Sequence, residues 1–273
     1  MLIINADDLG RCAIATDRIM ACVAANRIDA ASAMVFMEDS RRAATLAKAC
    51  GLNVGLHINF SESFTGLNIP ASLRRNHERI RRFVRANKYA LVIYNPFLRK
   101  AFREVFAAQV EEFARLYGRE PSRFDGHQHM HLCSNMILDR VLPTGAQVRR
   151  SFSFNAGEKN FLNRYYRRLI DRHLAARHRI GDFFFALSQH LPVARLRRVV
   201  ELAKRYDIEL MTHPQLNAEF EALLSDEFAA TRGQESEVRG QSAVSSACLS
   251  VSSRGSGVLT SDFLSSVSSV LRL

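Results

Sequence analysis

Short apolar, β-prone runs alternate with longer amphipathic stretches along this chain, and that alternation restricts the fold more than any other feature. Leu2–Ala6 reads as a buried strand. Ala13–Asn26 then reads as a helix, with Ile14, Ile19, Met20 and Val23 spaced for one face. Ala31–Phe36 is a second strand, Ser40–Ala49 a helix stopped by Cys50-Gly51, and Asn53–Ile58 a third strand. A loop rich in Ser, Thr, Gly and Pro covers Ser61–Pro70. Helices are predicted over Leu73–Tyr89 and Pro96–Tyr117, and short strands end at Phe124 and near Val148. Phe161–His178 and Pro192–Tyr206 read as basic helices, and Ile208–Met211 as a late strand. Repeated strand–helix alternation implies the α/β class, a parallel sheet with helical crossovers. In such folds chemistry gathers at the carboxyl ends of strands.

Composition excludes several classes. The 273 residues are 47% hydrophobic and 24% charged, ordinary for a globular protein. No apolar run approaches the ~20 residues needed to span a bilayer. Met1–Asp8 has no basic leader and meets acids at once, so the expectation is a cytoplasmic protein without a signal peptide. Five scattered cysteines without a CxxC pattern suggest reduced thiols. Cys133 lies near a histidine run and is either a ligand or a small buried hydrophobe. The net charge is +11, with much of the excess between Phe161 and Arg205. Such a field attracts polyanions, but no nucleic-acid-binding signature accompanies it, so no specific nucleic acid is expected. Phe161–His178 mixes arginine with Phe161, Tyr165, Tyr166 and Leu169, a composition that keeps contact with anionic membrane open. From Gly233 the chain turns Ser-rich, which divides it into a domain over 1–232 and a weakly structured tail over 233–273.

Asp125-Gly126-His127-Gln128-His129-Met130-His131 is the most chemically suggestive stretch. In a strand, all three histidines would share a face; in a helix only His127 and His131 would. A solvated loop is the plain alternative. Polar clusters also follow three other predicted strands: Asp7-Asp8, His57 and His213. Two adjacent carboxylates repel, and a nearby cation would relieve both. In an extended strand exit they point different ways, one toward a metal and one toward substrate. Taken alone, Asp7-Asp8 also suits a turn or helix cap, and His57 among apolar neighbours suits a core histidine. Placed together, one Asp and two His form a common catalytic metal set with positions left for water. Asp7 then serves as general base and His213 as general acid, a set of roles that describes metal-assisted amide or ester hydrolysis.

The motifs Asn5-Ala6-Asp7-Asp8-Leu9-Gly10, Gly55-Leu56-His57-Ile58-Asn59, Asp125–His131 and Met211-Thr212-His213-Pro214 resemble, in order and spacing, those of the YdjC-like carbohydrate deacetylases. The resemblance covers about Met1 to Ala230 and implies a distorted (β/α) barrel related to polysaccharide deacetylases. It implies removal of acetyl groups from an N-acetylated sugar, oligosaccharide or glycolipid with a divalent metal, Mg2+ or Zn2+. By motif position it implies Asp8, His57 and His127 as metal ligands, with Asp7 as base and His213 as a late active-site acid. His129 and His131 take supporting or substrate-facing places, and Asp125 orients an imidazole. Arg149 or Arg150 contacts substrate or is an ordinary surface arginine. Leu9 stands where Phe is usual, Gln215 where Gly is common, and the Ser-rich tail does not match the family's closing segment. A metal-dependent phosphoester hydrolase and an inactive carbohydrate-binding relative are the alternative readings, and a homodimer stays open.

Overall fold

The computed structural model describes residues 1–86, 89, 91–153 and 161–236. Strand and helix alternate as β1 (Leu2–Leu9), α1 (Ala13–Ala24), β2 (Ala30–Ala33), α2 (Ser40–Ala49), β3 (Asn53–Ile58), α3 (Ala71–Ala86) and α4 (Arg99–Tyr117). There follow β4 (Arg123–Gly126), α5 (Ser134–Leu138), β5 (Gln147–Val148), α6 (Phe161–Ala175), β6 (Phe183–Ala186), α7 (Leu196–Ala203), β7 (Ile208–Thr212), α8 (Asn217–Leu224) and α9 (Asp226–Ser236). The strands pair in parallel in the order β5-β4-β3-β2-β1-β7-β6. The expected α2 and β3 match residue for residue. α5, β6, α8 and α9 are additions to the sequence reading, and α9 runs past Gly233; the Ser-rich residues from 237 on lie outside the described residues.

The sheet curls until its two edges meet. Gln147 on β5 bridges in parallel to Arg179, just ahead of β6. The Val148 N–H donates to the Arg179 carbonyl at 2.9 Å, and the Ser153 N–H to the Phe184 carbonyl at 2.9 Å. Closure of the distorted barrel is therefore made by residues 146–153 against 177–184.

Alternation along each strand separates two environments. Ile4, Ala6, Leu56, Ile58, Phe124, Val148, Ile208 and Leu210 are buried in the apolar core. Their strand neighbours Asn5, Asp7, His57, Asp125, Arg149 and Glu209 turn to the enclosed interior, where they bond to one another. That interior is crowded. A Cβ on Gly55 would lie 2.8 Å from Arg123 Nε and 2.9 Å from its carbonyl oxygen, so glycine there admits a guanidinium between β3 and β4. Among the described residues no helix is long and apolar enough to cross a membrane.

Candidate metal centre

The end of β1 is irregular. It pairs with β2 at Asn5↔Ala30 and Ala6↔Ala31, then shifts register before Leu9↔Ala33. Asp8, within the shift, has φ 68°, a left-handed conformation that costs a non-glycine residue on the order of 1 kcal/mol. A regular strand would send Asp7 and Asp8 to opposite faces. The bulge instead turns both inward: Asp8 Oδ1 lies 3.3 Å and Asp7 Oδ2 4.0 Å from the same His57 Nε2. This corrects the expectation that the two acids diverge. Neither caps α1, whose N-cap is Cys12.

β3 and β4 set His57 opposite Asp125 in register. His57 Nδ1 lies 2.5 Å from Asp125 Oδ1. The carboxylate accepts that N–H and leaves Nε2 as the ring atom that faces Asp8. Asp125 Oδ2 accepts from Ser32 Oγ at 2.5 Å, and Asn5 Nδ2 donates both to Ser32 Oγ at 2.9 Å and to Asp7 Oδ1 at 2.8 Å. His127 brings Nδ1 to 2.9 Å from Asp8 Oδ1, while its Nε2 is 3.1 Å from Glu62. The other oxygen of Asp8 is occupied by Gln215 Nε2 at 2.6 Å and Arg11 Nη1 at 3.4 Å. Asp8, His57 and His127 thus offer three donor atoms within 4.8 Å of one another. Asp7, His57 and Asp125 form a second such group, but Asp125 already holds His57 Nδ1 and both Asp7 oxygens already accept from Arg149.

The three histidines of the run go three ways. His127–Leu132 is a tight helical turn broken by left-handed Gln128 (φ 52°) and His129 (φ 58°), so neither a strand nor a regular helix describes it. His127 joins the centre. His131 is fully buried, with Nε2 3.0 Å from the Arg149 carbonyl; burial pushes it down to about 4, so it is a neutral structural group. His129 packs its ring edge-on against Phe152 at 4.5 Å and Phe184 at 5.8 Å, and burial holds it well below the ordinary histidine range.

Other sequence candidates are placed differently from expectation. Arg149 is 3% exposed, and neither a surface arginine nor at the rim. Its guanidinium donates to both Asp7 oxygens at 2.7 Å and to Glu209 at 2.7 and 2.9 Å, with Asp125 at 3.2 Å. Arg150 pairs with Asp171 at 2.7 Å. Cys133 is buried and belongs to neither ligand group, and burial pushes its thiol up to about 12. His213 follows β7, which pairs with β1 at Ala6↔Thr212, so it stands on the same rim as the two acids. Its backbone N–H donates to Glu219 at 2.6 Å, and its half-buried ring has no hydrogen-bond partner among the described residues. Glu62, Arg11, Ser32 and Glu209 also belong to the network; they carry no local pattern that marks them.

Charge balance shows what the centre accommodates. Asp7, Asp8, Asp125 and Glu209 face the interior with Arg123 and Arg149, which leaves two negative charges to be met. Protons on the imidazoles meet them in part. Burial opposes a charge on His57, but Asp7, Asp125 and Asp8 outweigh it and raise the imidazole to about 10. Burial likewise opposes, and Asp8 and Glu62 overcome, for His127. Those imidazoles hold Asp8 well below the usual carboxylate range against its burial. A divalent cation bound between two neutral imidazoles restores the same balance as two protons, so the donor set fits such an ion.

A curled parallel α/β barrel with a carboxylate–imidazole centre at the carboxyl ends of its strands defines the class. One solved structure that it resembles is an Enterococcus faecalis protein provisionally described as a cellobiose-phosphate cleavage protein. The likeness has a TM-score of 0.57 over 86% of this chain and 94% of that one, at 18% identity, and it concerns the fold. The chain belongs to the YdjC-like protein family, whose model matches residues 1–246. Similar curated proteins are carbohydrate deacetylases of Danio rerio (31% identical over 153 residues, 55% of this chain and 47% of that protein), Mus musculus (29% over 140 residues, 48% and 43%) and Homo sapiens (29% over 140 residues, 48% and 41%). The chain matches about half the length of these relatives.

Proposed function

We propose that the chain is a divalent-metal-dependent hydrolase that removes an acetyl group from an N-acetylated carbohydrate. The observation that carries this reading is the Asp8, His57 and His127 group, buried and tautomer-set by Asp125, in a family member whose relatives are named carbohydrate deacetylases. Asp8 Oδ1, His57 Nε2 and His127 Nδ1 would hold the ion. Two imidazole nitrogens favour zinc or another first-row metal over magnesium, which prefers an all-oxygen set. When bound, such an ion polarises the acyl carbonyl and acidifies water. Asp7 takes the proton from the attacking water. Its Oδ1 is filled by Asn5 and Arg149, but Oδ2 accepts a single Arg149 bond and keeps a lone pair beside His57 Nε2. Arg149 fixes that carboxylate so that its free lone pair faces the centre. His213, on the same rim, protonates the departing sugar nitrogen.

The test is acetate release from N-acetylglucosamine oligomers by the purified chain, alongside phosphate release from phosphorylated sugars. Activity on the acetylated set should disappear with chelator and in Asp8→Ala and His57→Ala. His213→Asn should retain the ion while kcat falls about 100-fold. Unchanged acetate release after Asp8→Ala, or release of phosphate alone, overturns the reading.

A further inference from the structure

Helix α6 presents its apolar side to solvent. Of its residues, Asp171 and Leu174 are buried. Phe161, Leu162, Tyr165, Tyr166 and Leu169 are 77%, 74%, 53%, 38% and 46% exposed. At about 100° per residue these five fill one continuous sector that lies opposite Asp171 and Leu174. With roughly 200 Å² for a large aromatic side chain, these fractions leave on the order of 500 Å² of apolar and aromatic surface in water. A lone surface leucine is ordinary, but a patch of that size marks an interaction site. The metal centre does not account for it, since none of the five residues contributes a donor there.

Charge identifies the partner. Arg164, Arg168 and Arg172 are exposed along the same helix, the first two on one flank of the apolar sector and the third one turn further on. The helix has a single carboxylate, Asp171, which is turned inward and paired with Arg150 at 2.7 Å. A second copy docking through this face would bring two arginine rows together with no acid on either helix to meet them. An anionic lipid surface meets both features: aromatic and leucine side chains enter the headgroup–acyl boundary while guanidinium groups bond phosphate. α6 stands between β5 and β6 in the chain, and its Asp171 accepts from the Ser151 N–H at 2.9 Å just past the carboxyl end of β5.

We infer that α6 is a peripheral docking helix for anionic membrane. The inference stands on exposure and charge, independently of the deacetylase reading. The experiment is sedimentation of the full chain with phosphatidylcholine vesicles and with phosphatidylcholine–phosphatidylglycerol vesicles, at low and high salt. Binding is expected on the anionic vesicles alone, with loss at high salt. Arg164→Gln and Arg168→Gln should each weaken it roughly fivefold, and Phe161→Ser with Leu162→Ser should remove it. All four positions are exposed, so melting temperatures should match the parent chain. The inference fails if there is no binding at low salt, if binding survives these substitutions, or if sedimentation velocity shows a dimer that Phe161→Ser dissociates.

Discussion

Replacing Arg149 with methionine isolates the buried charge network from the rest of the fold. Methionine keeps most of the volume and an apolar stem against Phe184, whose ring centroid lies 4.9 Å from the guanidinium carbon. What disappears is the cation shared by Asp7, Glu209 and Asp125 at 2.7, 2.7 and 3.2 Å, on a side chain 1% exposed. Removing one partner of a buried pair costs about 3–5 kcal/mol because the other charge stays buried. The expected loss is therefore about 4 kcal/mol near neutral pH, against a total stability on the order of 10 kcal/mol. The pH dependence follows from the same change. Carboxylates stripped of their cation have folded-state pKa values raised above the unfolded ones. The folded variant then binds more protons than its unfolded chain, and its stability rises as the medium is acidified. In the parent, Asp125 is held well below the usual range by Arg149, His57 and Arg123 against its burial, so it stays charged in both states between about pH 7.5 and about pH 5.5 and the pH dependence of the gap comes from the variant. Urea unfolding at about pH 7.5 and about pH 5.5 should show the gap between the two proteins narrowing on acidification. Glu209→Gln alone and combined with Arg149→Met completes a cycle, and the double variant should lose about 1–3 kcal/mol less than the two single losses together. A loss below about 1 kcal/mol, or a gap independent of pH, would refute the charge-sharing reasoning.

Because two proton charges and one divalent charge balance the centre equally, zinc binding near neutral pH should displace about two protons. Calorimetry in two buffers of different ionisation enthalpy measures that number, and none released would contradict the assignment of His57 and His127. Gln215→Ala frees the outer oxygen of Asp8 and should weaken zinc affinity about tenfold without altering the melting curve. Gly55→Ala drives a methyl to 2.8 Å from Arg123 Nε and should cost about 1–3 kcal/mol by thermal unfolding. A neutral result there would show that the guanidinium can move aside.

How much of this was legible in the sequence depends on whether the information is local. Ser40–Ala49 and Asn53–Ile58 were legible because each carries its own period and stop signal. The placement of Asp8, His57, His127 and His213 at strand exits was legible for the same reason. Phe183–Ala186 has three consecutive phenylalanines and no alternation, so a short strand leaves no pattern to read. Arg149 reads as substrate-facing or as an ordinary surface arginine because arginine is rarely buried without partners. Its partners stand at positions 7, 125 and 209, and only the curled sheet brings β1, β4 and β7 around it. The Asp7-Asp8 pair reads as diverging because period two is the default for a strand, and no glycine at position 8 announces the left-handed turn that makes the acids converge. That turn matters most to the chemistry. With Asp8 extended outward, the interior would hold one carboxylate fewer and His127 would face no acid on β1. The strain at Asp8 is thus tied to the surplus of two negative charges, a surplus that a divalent ion neutralises at one point where protons need both imidazoles.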